Sequence, residues 1–186
     1  LSSLPLLSLS LQPDIEADSL NLMAEYWPEH YGCLYEMGVR AFERLFELRP
    51  RLLDIFALKA ETWRTDERVK KIILALEQLL TDGVNSCAHG EDAAAFRRTL
   101  AELGGLHRAV VPEVPLDALE LLFRLLPQVV VDVSSLHRRA GPPSSTDRQR
   151  LLSAWIALCS FMSIHVVDGW EHSVIPEESS KYRKAY

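Results

Sequence analysis

The feature that most narrows the fold is one apolar stripe at helical spacing: Val69, Ile72, Ile73, Leu76, Leu79 and Leu80. Residues three and four apart share a helix face, and the opposite face here carries Lys70, Lys71, Glu77 and Gln78. That is the pattern of a half-buried helix. Thr65 is placed to cap it, Asp66 and Glu67 complement the dipole in its first turn, and Gly83 marks its expected end. Asn85 to Glu91, with Ser86, His89 and Gly90, reads as a loop.

The same period recurs on both sides. Val39, Phe42, Leu45, Phe46 and Arg49 follow helical spacing, and Pro50 suits the opening of a second, short helix. Ala93 to Leu106 carries Phe96, Leu100 and Leu103 on one side. Pro112 and Pro115 mark a corner before a strongly apolar helix from Leu116 to Leu126. The run Val129, Val130, Val131 and Val133 is β-branched and follows Pro127. A lone strand would have no partner, so this run is assigned to a helix kinked at Pro127. Arg138 to Asp147 breaks the pattern, and the last helix runs from about Arg148 to Trp170, with Gly169 marking its end. No long alternation at period two competes, so the fold class is all-α, with about six to eight unequal helices. No internal repeat is visible, which argues against a solenoid.

Residues 1–16 read as an N-terminal extension: the opening stretch is rich in Leu and Ser, with no basic flank or cleavage signature of a signal peptide. Residues 17–172 form one domain, a length that encloses a single sizeable core. Residues 173–186 read as a solvated C-terminal tail. With 20 Lys and Arg against 26 Asp and Glu, the net charge is −6, which argues against a general nucleic-acid partner. No window approaches the uninterrupted apolar length of a membrane span. Cys33, Cys87 and Cys159 are odd in number and form no C-x-x-C pair, which suits a reducing, cytoplasmic setting.

Nucleotide-binding glycine motifs, zincin motifs and nucleophile elbows are absent, so no dedicated enzyme is indicated by motif. The pattern that could carry chemistry is Leu100, Leu103, Gly104, His107, Arg108, Ala109 and Val110. By itself it reads as a helix-end histidine stabilised by the C-terminal dipole. The spacing, however, resembles the proximal-histidine helix of animal globins, especially the neuroglobin-like and nematode neuronal branches. Three other segments resemble the family in the same order. Ala41 to Phe56, with Pro50 and the Phe six residues later, resembles the second and third globin helices. Gly38 lies where the first long helices cross closely, and Trp27 matches the first-helix tryptophan. Ala154-Trp155 followed by Gly169-Trp170 resembles the final helix.

That resemblance, over residues 17–172, implies a globin fold of about seven or eight helices around a haem b (iron protoporphyrin IX) pocket. It implies that His107 ligates the iron through its outer nitrogen. The other ring nitrogen would donate to the carbonyl of Leu103, fixing the tautomer. Phe56 would stack on the porphyrin, while Phe42, Phe46, Ile72, Leu76, Leu116, Leu119 and Phe123 form a dry wall. Lys71 is a partner for a propionate or is solvated. Arg68 takes the place where a distal histidine usually sits. It cannot coordinate iron, so the distal side is expected to be open, with the guanidinium either near the bound ligand or turned outward. No histidine lies between Tyr31 and Ala88; His89 falls in the loop, and His137, His165 and His172 are assigned to surface or packing roles.

The implied function is binding of O2, NO or CO for sensing or redox signalling, with anions such as nitrite and hydroxide as further ligands. The extensions suit a place in a larger signalling chain, a membrane-associated one included, or a homodimer. Nitrite reduction, NO dioxygenation, and a haem-free helical interaction module that keeps the same core are the alternatives.

Overall fold

A computed structural model describes residues 12–28, 30–88, 92–137 and 141–172. Seven α-helices make up the described residues, and no strand occurs among them: α1 (Ala17–Tyr26), α2 (Tyr31–Leu48), α3 (Arg51–Ile55), α4 (Glu67–Ala88), α5 (Ala93–Val110), α6 (Leu116–Leu136) and α7 (Ser145–His172). A 3-10 turn, Trp63–Thr65, leads into α4. The all-α class read from the helical period is therefore observed.

Local chemistry accounts for the boundaries, and several differ from the sequence reading. Pro50, at φ −60°, precedes α3, where a missing N–H costs nothing. Asp66, not Thr65, caps α4: its carboxylate accepts from the backbone N–H of Arg68 at 2.9 Å, while the Thr65 hydroxyl donates to the carbonyl of Thr62. Gly83 does not end α4, which runs on to Ala88 and so takes in Asn85–Ala88 from the expected loop. The site of Gly83 is filled by packing, since a Cβ there would lie 3.3 Å from Leu158 and Phe96. Asp92 caps α5, accepting from the N–H groups of Ala94 and Ala95 at 3.0 Å each. The last helix starts three residues earlier than expected, at Ser145, because Ser144 accepts from the N–H of Asp147 and donates to its carboxylate. It then passes through Gly169 to His172.

The valine run after Pro127 is helical and buried within α6. Those side chains pack against other helices, and that burial outweighs the modest helix penalty of β-branching. The central helix of the fold is α7, which packs against α1, α5 and α6, while α2 bridges α4 and α6. By length and composition α7 is also the one helix among the described residues that could cross a membrane, with half of its apolar stretch buried inside the protein. This qualifies the expectation of no membrane span. A buried core helix meets the same two criteria.

Candidate functional site

The imidazole of His107 sits in the last turn of α5 and is half-buried. Its Nδ1 lies 2.9 Å from the carbonyl oxygen of Leu103. A carbonyl only accepts, so Nδ1 carries the proton and Nε2 keeps its lone pair. Nε2 takes no hydrogen-bond partner among the described residues. Burial pushes the pKa of His107 down, and the bond to Leu103 opposes this only in part. The ring is therefore neutral at neutral pH, with one nitrogen fixed and the other available, which is the state a metal ligand needs.

The other sequence-selected residues fall on five elements. Phe42 and Phe46 on α2, Leu76 on α4 and Phe123 on α6 are buried in the main apolar cluster. Phe56 at the end of α3, Ile72 on α4, Leu103 on α5 and Leu119 on α6 pack against that cluster while only half-buried. Leu116, also half-buried, is not a member of it. The helices α4 and α5 are consecutive, yet α4 packs mainly on α1 and α2, and α5 mainly on α7. Gly38 explains how closely α2 and α4 approach: a Cβ there would fall 2.4 Å from Cγ2 of Ile73.

Of the poses open to Arg68, the guanidinium takes the outward one. It is 46% exposed and pairs with the Asp66 carboxylate at 2.8 Å. It also donates to the carbonyl of Phe56 at 3.1 Å and reaches that of Ala57 at 3.5 Å. The pair holds the Asp66 carboxyl down at about 2. Lys71 is exposed.

Compared with known protein families, with curated proteins and with solved structures, the chain matches none of them.

Other chemistry-bearing groups lie in structural settings. His137 pairs with Glu36 at 2.6 Å, His172 contacts Asp168 on the last turn of α7, and His165 is buried edge-on to Phe161. His89 lies outside the described residues. All three cysteines are free, and burial raises their thiols, that of Cys87 to about 11. They are not thiolates at neutral pH. No group of three or more His, Cys, Asp or Glu that could hold a metal ion occurs among the described residues. Two surface grooves, of about 480 and 270 Å³, run between α1 and α7 and between α6 and α7; neither is lined by His107 or by the apolar wall.

Trp63 and Arg64 escaped the sequence reading. Trp63 is buried, with its ring edge-on to Phe46 at 5.1 Å. Arg64 covers its face at 4.6 Å and pairs with Glu43. The signal was available as a tryptophan in an otherwise polar stretch. Trp27 lies just past α1, its ring 5.3 Å from that of Trp155. This ties the start of the fold to its central helix.

Proposed function

We propose that this chain is a haem-binding domain of the globin kind, one that binds a diatomic ligand such as O2, NO or CO for sensing or redox signalling. The observation that carries this reading is the Nδ1 bond from His107 to Leu103, which leaves a neutral imidazole with a free Nε2. The residues fit the group. One protein ligand suffices for an iron already held by a porphyrin, and half-buried apolar side chains on α3, α4, α5 and α6 suit a flat apolar macrocycle.

His107 would hold the iron, and the Leu103 carbonyl keeps its ring in the right tautomer and makes it a better donor. Phe56 would lie against the macrocycle. Phe42, Phe46, Ile72, Leu76, Leu119 and Phe123 exclude water. Lys71 stands on the exposed side of α4, where it suits a carboxylate of the group, while Arg68 is held by Asp66 and the carbonyls of Phe56 and Ala57. The bound group supplies an iron with an open position for a small ligand and the capacity to exchange an electron. Nitrite reduction and NO dioxygenation, argued from Arg68 beside the bound ligand, lose support because the donors of that guanidinium are committed to Asp66, Phe56 and Ala57.

A second reading, a haem-free helical interaction module, is favoured by one observation. Phe42, Phe46, Leu76 and Phe123 are already buried in the chain by itself. Adding haem to the purified protein separates the two. An absorption band near 400 nm, retained through gel filtration and lost in His107→Ala, is expected. No band in the parent chain leaves the interaction module.

A further inference from the structure

Next to His107, the side chain of Arg108 reaches α7. Its Nη1 donates to the carbonyl of Trp170 at 2.8 Å and to that of Glu171 at 3.1 Å. These carbonyls belong to the last turn of α7, where helical donors run out and the dipole is negative. A guanidinium satisfies both the geometry and the charge. Two close approaches stiffen this attachment. A Cβ on Gly104 would fall 1.9 Å from the carbonyl oxygen of Val166 and 2.7 Å from the N of Trp170, and one on Gly169 would fall 1.9 Å from the carbonyl oxygen of Ala101. Here α5 and α7 meet backbone to backbone, with no side chain between them to absorb a shift. Gly104 directly follows Leu103, whose carbonyl holds the imidazole. The ring's own hydrogen bond, the close approach and the guanidinium clamp thus fall within six residues of one helix.

We propose that Arg108 is a positioning residue for His107. By anchoring α5 to the end of α7, it fixes the rotation of the imidazole, and the last turn of α7 moves with the ring. The proposal rests on the reading of His107 as the iron ligand, and one arm of its test does not.

In the full haem-free chain, Arg108→Met should speed amide exchange at Asp168–His172 about tenfold. It should also shift the ring nitrogen resonances of His107. Arg108→Lys, which keeps the charge, should restore both in part. In the haem-loaded ferrous protein, the iron–imidazole stretching band should move in Arg108→Met and return toward the parent position in Arg108→Lys. Faster exchange at the end of α7 with the His107 resonances unmoved would overturn the proposal, because Arg108 would then be a helix cap alone. If the parent chain takes up no haem, the iron-ligand reading fails, and the ring resonances still decide the coupling.

Discussion

The carbonyl of Phe56 accepts a hydrogen bond from the Arg68 guanidinium at 3.1 Å, across twelve residues of chain. That bond makes Arg68 a clasp. It closes the segment between α3 and α4 by joining the residue proposed to lie against the macrocycle to the first turn of α4. Arg68→Leu should therefore change the connection more than the chemistry. The ion pair is exposed and screened by water, so the loss of stability should be small. Trypsin should cut after Lys59 faster than in the parent, while the haem-loaded variant reacts with nitrite at the parent rate. A slower nitrite reaction with unchanged cleavage would return Arg68 to the reactive face.

Within that clasp, Ala57 has φ +50°, the left-handed conformation that glycine adopts without steric cost. It ends α3: the N–H of Leu58 reaches back to the carbonyl of Leu53 at 2.7 Å, and that of Ala57 to Asp54 at 3.0 Å. Ala57→Gly should stabilise the protein by about 0.5–1 kcal/mol, because relief of the left-handed strain exceeds the added freedom of the unfolded chain. A higher urea midpoint at unchanged slope is the expected result. An unchanged or lower midpoint would show that the strain is absent.

Two glycines at helix crossings should respond unequally. At Gly169 the obstacle is the backbone of Ala101, which cannot turn aside, whereas at Gly38 it is a methyl group of Ile73. Gly169→Ala should cost about 3 kcal/mol or more, and Gly38→Ala about 1–2 kcal/mol. Denaturant unfolding of the two variants checks the order. Equal losses would mean that α5 and α7 separate as easily as a side chain rotates.

The helices were legible where a stripe or a proline spoke alone, and less so where packing decided. The α4 stripe and the Pro50 opening of α3 could be read directly. Gly83 looked like a terminus because its intrinsic preference favours one, but contacts with Leu158 and Phe96 outweigh that preference. Asp66 and Thr65 are both sound caps in sequence, and only the turn at Trp63–Thr65 selects between them. At the site, the His107 bond to Leu103 was expected from the globin resemblance, and a carbonyl four positions back is within reach of the ring. The Phe56 carbonyl bonded by Arg68 and the Trp170 carbonyl bonded by Arg108 lie 12 and 62 residues away, and no local pattern encodes such pairings.

Phe56 is half-buried, so Phe56→Ala should cost less than the roughly 3–5 kcal/mol of a fully buried phenylalanine. Its expected effect falls on the bound group: haem should transfer to an apo-globin acceptor several times faster than from the parent. Equal transfer rates would remove Phe56 from the wall.

Glu77 gives the chain a pH dependence of definite sign. The helical pattern put it on the polar face, but it is buried at 6% exposure, and its Oε1 has no hydrogen-bond partner among the described residues. Burial alone pushes its pKa from about 4.5 up to about 7. Between those values the folded protein holds a proton that the unfolded chain has released. This group's contribution therefore falls as pH rises from about 4.5 to about 7 and is constant above. Glu77→Gln keeps the shape and removes the titration. The stability of the variant relative to the parent should climb across that window, by on the order of 1–3 kcal/mol, and then level off. Urea unfolding of both proteins across and above the window reads this difference directly. A difference that stays flat with pH would mean that Glu77 ionises in the folded protein as it does in the unfolded chain, with water or an unseen donor reaching its carboxylate.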